Sequence, residues 1–245
     1  MHGKYNQYIA AEEFSNWWIS GPVDCGNTTR FAFEKNTLKS AAEMMTDSAK
    51  FNRNSQANGA LMRIAPLAVF GARNNIPVAQ IAFDARQDAL LSHPHPICQE
   101  SNVAFVVAIM HLLKVRGDVT GAHKAAVKAI SNPDVLKWIN DAMTGIDPGP
   151  VVQNAGHVKH ALSLAFYHLG KRSRYRDAIF DVLCRGHGDA SGAIVGAMIG
   201  ALWGVKDIPA YMLDPVLKFD CTAIEDHEMG HRRPAKYNVR LAFDV

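Results

Sequence analysis

The sequence predicts an all-α protein built as one domain over residues 1–245. Three observations carry that reading. Apolar residues recur at helical spacing through most of the chain. No segment keeps the strict alternation of a half-buried strand, and the Asn58-Gly59 pair leads into a helical pattern instead of a hairpin. Gly188, Gly192, Gly196, Gly200 and Gly204 recur every four residues, which is the spacing of one helix face.

The elements follow in order. Phe31 to Met45 reads as a helix opened by Asn27-Thr28-Thr29, which can cap it. Gly59 to Phe70 is a second, and Pro66 inside it predicts a kink or a short break. Pro77 to Leu91 begins with proline in the first turn. Gln99 to Val115 carries Val103, Phe105, Val106, Val107, Ile109, Met110, Leu112 and Leu113, the pattern of a buried central helix. Thr120 to Ile130, Pro133 to Met143, Val151 to Leu169 and Arg174 to Cys184 continue the series. Ser191 to Val205 and Pro209 to Leu217 close it. In the Ser191 helix each glycine is disfavoured by about 1 kcal/mol against alanine, so the glycine row predicts close packing against a neighbouring helix.

Composition narrows the function classes. Apolar residues make up 48% and charged residues 20%, the balance of an ordinary globular domain. The net charge of +3, with no long basic run, predicts no nucleic-acid role. Ala190 to Val205, the most apolar stretch, has 16 residues, short of the roughly 20 that span a bilayer, so no membrane role is expected. Cys25, Cys98, Cys184 and Cys221 form no CxxC pair, which points to a reducing, cytoplasmic setting. Cys98 and Cys184 are expected to be buried and inert, from their apolar neighbours.

Four segments hold chemistry-bearing residues. Gly186-His187-Gly188-Asp189 opens the glycine-rich helix; Asp189 suits a helix start by capping, and with His187 it offers two metal donors. Ser55 to Arg63 is a small polar turn feeding a helix, suited to an anion or, alternatively, to a capped helix with Arg63 in a buried ion pair. Ser92-His93-Pro94-His95-Pro96 is either a rigid turn or a metal, ribose or phosphate contact. Asp24 to Arg30 is a helix cap whose Asn27 and Thr28 can also line a polar pocket.

Together and in this order, these segments resemble the ADP-ribosylglycohydrolase family, which includes the dinitrogenase-reductase-activating glycohydrolases. Asn58-Gly59-Ala60-Leu61-Met62-Arg63-Ile64-Ala65-Pro66 is similar to a family motif, as is the glycine series from Gly192 to Gly204. Trp17 to Pro22 with Gly26 to Thr29, Leu91 to Pro96, Gly156 to His168, and Phe219 to Pro234 also fit. The resemblance implies an orthogonal multi-helix bundle around a cleft. It implies that Mg²⁺ positions the ribose and a water, and that ADP-ribose is removed from modified side chains. It places ligand binding on Asn58, Gly59, Ala60, Met62, Arg63 and His93, with Asn27 and Thr28, and metal binding on Asp189 and His187.

Two departures set further expectations. The chain opens where the family's first segment would already have ended, so the fold is expected to be N-terminally truncated. The family's early Thr-Asp-Asp motif has no counterpart, which leaves room for a protein partner over that face. In the late Asp-x-Asp-Thr motif His187 and Ala190 replace the first Asp and the Thr, while Asp189 remains. A degenerate metal site follows, since Mg²⁺ prefers oxygen ligands. The two functional readings are therefore a hydrolase of ADP-ribosylated proteins and an inactive relative that binds ADP-ribose or a protein partner.

Overall fold

A computed structural model describes residues 4–186, 188–223 and 232–239. Thirteen α-helices fill those residues, and no strand occurs among them. They are α1 (Gln7–Ile19), α2 (Asn27–Phe33), α3 (Ala41–Phe51), α4 (Gly59–Arg63), α5 (Ala65–Arg73), α6 (Val78–Leu90) and α7 (Pro96–Lys114), followed by α8 (Val119–Lys128), α9 (Pro133–Met143), α10 (Val158–Gly170), α11 (Tyr175–Arg185), α12 (Gly188–Trp203) and α13 (Ala210–Lys218).

The chain is centred on α7. Pro96 occupies its first turn, where a missing N–H matters least, and the His95 ring accepts the Ile97 N–H at 3.2 Å. Of its 19 residues 14 are buried, so it is apolar on all sides because neighbours surround it. Its length and composition would also suit a bilayer, but 78% of its apolar window is already covered by the protein. Helices α5, α6, α8, α10 and α12 pack around it. Phe105, Phe166, Leu112, Leu162, Leu164 and Leu169 are the large side chains of this core.

A second, smaller cluster joins α1, α2 and α3 through Ala11, Ala32, Phe33, Ala41, Met44 and Leu91. Here the structure differs from the predicted elements. The α1 helix has almost no one-sided apolar stripe, only Ala11 and Ser15 being buried, so periodicity does not reveal it. The expected helix from Phe31 to Met45 is two helices. Phe33 ends α2, and Ser40 opens α3 with a capping box in which its hydroxyl and the Glu43 carboxylate bond each other's backbone N–H. The predicted break at Pro66 falls two residues earlier, at Ile64 between α4 and α5. Residues 151–157 are a loop ahead of α10, with Asn154 in the left-handed region at φ 50° and His157 as the cap.

The glycine row behaves unevenly. A Cβ on Gly196 would stand 2.9 Å from the Tyr175 hydroxyl, so α11 approaches α12 closely there. A Cβ on Gly192 would meet nothing within 4 Å. Cys98 is buried as expected, but Cys184 is exposed, because α11 turns only its Ala178–Val182 side inward.

Candidate functional site

The turn at residues 55–58 is pinned from below. It pairs with residues 156–158 in a short antiparallel bridge, Asn58 N–H donating to Gly156 O at 2.8 Å and Val158 N–H to Gln56 O at 2.8 Å. The Cys98 thiol of α7 lies against the carbonyls of Ser55 and Ala57. Gln56 bridges two helix-capping histidines, its amide 3.2 Å from His95 Nε2 and 2.7 Å from His157 Nε2. His95 is thus a structural cap, whereas His93, two residues earlier, faces the turn.

At the end of this turn stands Gly59. A Cβ there would lie 3.0 Å from the His93 ring and 3.0 Å from the Thr29 hydroxyl. Glycine therefore lets the backbone close on both. His93 is 1% exposed; its Nδ1 pairs with the Ser92 hydroxyl at 2.8 Å, and its Nε2 has no partner. Burial, with the Arg63 guanidinium nearby, pushes its pKa down to about 3, so the ring is neutral at ordinary pH.

Arg63 is held on several sides. It donates to Ser92 Oγ at 2.7 Å, to the Asp88 carboxylate at 3.0 Å and to the Asp88 carbonyl at 3.0 Å. Its guanidinium lies 4.6 Å over the Phe14 ring and 5.5 Å from that of Phe33. The alternative of a buried ion pair, open from sequence, is thus realised with Asp88. One nitrogen, Nε, is buried without a partner. The same holds for Nδ2 of Asn58.

Above these groups is a cavity of about 330 Å³, lined by Phe14, Trp17, Thr29, Phe33, Met62 and Arg63 among others, with Gly59 at its floor. That volume is within the range of small-ligand sites. Its walls carry the rings of Phe14, Trp17 and Phe33 from α1 and α2 and the Arg63 guanidinium from α4, with Met62, the Thr29 hydroxyl and the Asp24 carboxylate also lining it. The arrangement can stack a flat ring and hold an oxygen-rich group with N–H donors.

The remaining candidates lie as follows. Met62 is exposed at the cavity, and Ala60 is fully buried behind it. Thr28 bonds Ser55 Oγ at 2.8 Å and so ties α2 to the turn, while the neighbouring Thr29 supplies the hydroxyl beside Gly59. Asn27 is an exposed first-turn residue 3.4 Å from Arg30. Asp189 is exposed in the first turn of α12, where one oxygen accepts the Ala190 N–H at 2.7 Å. His187 lies outside the described residues. Among the described residues no three His, Cys, Asp or Glu side chains converge on one point. Mg²⁺ takes near-octahedral oxygen coordination, which one carboxylate does not provide, so the described donors alone do not fit it.

Sequence reasoning missed Phe14, Phe33 and Asp88, and it took in Trp17, Thr29 and Ser92 only as parts of longer segments. It also missed Asn102, 0% exposed with both amide atoms unpartnered, one helical turn beyond Cys98 on α7. A signal was present: Glu100-Ser101-Asn102 is a polar run at the head of an apolar helix, and all three are buried.

Comparison with known proteins adds ancestry. The family model for ADP-ribosylglycohydrolase matches residues 1–236. A protein of Acanthamoeba polyphaga mimivirus, provisionally named ADP-ribosyl glycohydrolase, is 28% identical over 93% of this chain and 72% of its own length. The ADP-ribosyl-[dinitrogen reductase] glycohydrolase of Rhodospirillum rubrum is 23% identical over 81% of this chain and 62% of its own length.

Proposed function

Because the chain belongs to the ADP-ribosylglycohydrolase family, we propose that its cleft binds the ADP-ribose group of modified proteins. One observation carries the reading. Arg63, which lines the cavity with aromatic walls, and Asn58 and His93, which flank its lining residue Gly59, each keep a buried nitrogen with no partner. A buried donor left unmade is disfavoured by about 1–3 kcal/mol, so such groups mark a place where a ligand completes the bonding. A diphosphate supplies acceptor oxygens, and Phe14, Trp17 and Phe33 offer a face to the base.

The proposed reaction is cleavage of the glycosidic bond between ADP-ribose and a side chain, as in the relatives' names. The metal donors the resemblance leaves to this chain are Asp189 and His187, too few by themselves for Mg²⁺, so the reading rests on ADP-ribose binding by the cleft and not on rapid turnover. Asp189→Ala then removes any metal-dependent gain in affinity and leaves the metal-free affinity in place.

The test is isothermal titration calorimetry of the chain with ADP-ribose, with and without Mg²⁺ or Mn²⁺, followed by assays on proteins ADP-ribosylated at Arg, Ser or Asn. Binding in the metal-free condition supports the cleft assignment. Binding that strengthens with metal, together with release of free ADP-ribose, extends it to hydrolysis. No heat in either condition overturns it and favours use of the scaffold as a protein-binding module.

A further inference from the structure

Resting on the cleft assignment above, we propose that Ser92 is a positioning residue that fixes His93 as the Nε2–H tautomer, so that a buried N–H donor meets a phosphoryl oxygen of the ligand. Arginine only donates, so Arg63 Nη1, 2.7 Å from Ser92 Oγ, occupies a lone pair of that oxygen. Ser92 is 0% exposed and its hydroxyl has one other partner, His93 Nδ1 at 2.8 Å.

Two arrangements are then open. If Ser92 donates to Nδ1, the proton of the neutral ring sits on Nε2, and that N–H is the single group left without a partner. If instead Nδ1–H donates to Ser92, the serine proton has no acceptor and the bare Nε2 lone pair has no donor. The first arrangement leaves one unmade bond and the second leaves two. Burial penalises each, so the first prevails.

Arg63 enforces this only because it is itself immobilised. Asp88 takes Nη2 on one carboxylate oxygen at 3.0 Å, and the Tyr5 hydroxyl lies 3.3 Å from the other. The order of control runs from Asp88 through Arg63 and Ser92 to His93. Its output is chemical selectivity at the position behind Gly59. An acceptor oxygen is welcome there, and a ligand group that itself donates a proton meets an N–H and is rejected. The unpartnered Nε of Arg63 adds a second donor of the same polarity.

The experiment is nitrogen-15 NMR of the histidine rings in the full chain, with His93 assigned by its disappearance in His93→Asn. The expected spectrum of the free protein has His93 Nε2 in the protonated range and Nδ1 in the bare range, unchanged from pH 8 to pH 6. The reverse assignment, or a mixture of the two, overturns the proposal whether or not ADP-ribose binds. Added ADP-ribose is expected to shift Nε2–H. If calorimetry shows binding but this nitrogen does not move, the donor role is wrong while the cleft assignment stands. If nothing binds, the cleft assignment falls and the tautomer stands or falls on the free spectrum. Ser92→Ala is expected to mix the tautomers and weaken ADP-ribose by about tenfold, with Ser92→Thr restoring both. Equal tautomer purity in Ser92→Ala removes Ser92 from the role.

Discussion

Around α7, Phe105, Phe166, Leu112, Leu162 and Leu164 are sealed by helices on every side, whereas the cluster of α1, α2 and α3 buries six apolar residues, three of them alanine. The smaller cluster compensates with polar anchors. Ser15 accepts the buried Lys39 N–H at 2.7 Å, and Phe14 stacks on Phe33 with centroids 5.2 Å apart. Arg63 lies over both rings and is also tied to Asp88 of α6, so one cation joins the two regions. The cavity lies along that seam. A rigid core supplies Gly59, Arg63 and His93, and a lightly packed cap supplies aromatic walls. The difference teaches that the polar contacts hang on the heavily buried half of the molecule, while the aromatic walls of the cavity come from the half with fewer buried residues.

The largest expected effect sharpens this contrast. Phe105→Ala should lower unfolding free energy by about 3–5 kcal/mol in urea titration, because the surrounding helices cannot collapse into the cavity. Amide exchange in α1–α3 should occur through openings well below that global value. Identical opening energies in the two regions would merge them into one unit.

The second effect is acid sensitivity at the seam. The folded pKa of His93 is about 3, below its ordinary value of 6.5. The folded state therefore binds fewer protons than the unfolded state between those values. The associated stability is fully present above pH 6.5 and is lost as pH falls toward 3. At most about 5 kcal/mol is involved, from roughly 1.4 kcal/mol per pKa unit. His157, His160 and His168 are also shifted downward, chiefly by burial, and act in the same direction. Urea midpoints measured from pH 7 to pH 5 should fall less steeply in His93→Gln; parallel curves would exclude His93 as the main source.

Gly59→Ala should weaken ADP-ribose by about tenfold, or ~1.4 kcal/mol, because its methyl group presses on the His93 ring and Thr29. Calorimetry of the variant checks this. Phe14→Leu removes the ring beneath Arg63 and should reduce stability by about 1 kcal/mol in the same urea assay. Cys184→Ser, at an exposed position on α11, should stay within about 0.5 kcal/mol of the parent. A larger change there would show that α11 is covered in solution.

Much of the fold was legible because it is written in local chemistry. Pro133 and Pro77 mark helix starts, and the Val103–Leu112 run marks the central helix, whose first turn begins at Pro96, three residues before the expected Gln99. The hidden parts are those without a local stripe. The α1 helix carries Phe14, Trp17 and Trp18 among polar residues, and their partners are Phe33 and Arg63, far along the chain. Cys184 illustrates the reverse error, since apolar neighbours in sequence do not decide which side of a helix faces inward.

The candidate site divides in the same way. The Asn58–Arg63 motif and His93 were readable as residues, together with the choice between an anion contact and an ion pair for Arg63. The ion pair with Asp88, the contact of Ser92 with Arg63 and the aromatic wall were not, because each depends on which side chains meet across about 20 to 50 residues. By itself the sequence determined the helical class, the central helix, the glycine-dependent turn and the family likeness, all of which rest on spacing and residue type. The tertiary structure alone decided that Gly59 closes on His93 and Thr29, that Arg63 is shared between two cores, and that buried donors are left over beside a cavity. Those facts depend on distances between elements, and distance in space is not carried by order along the chain.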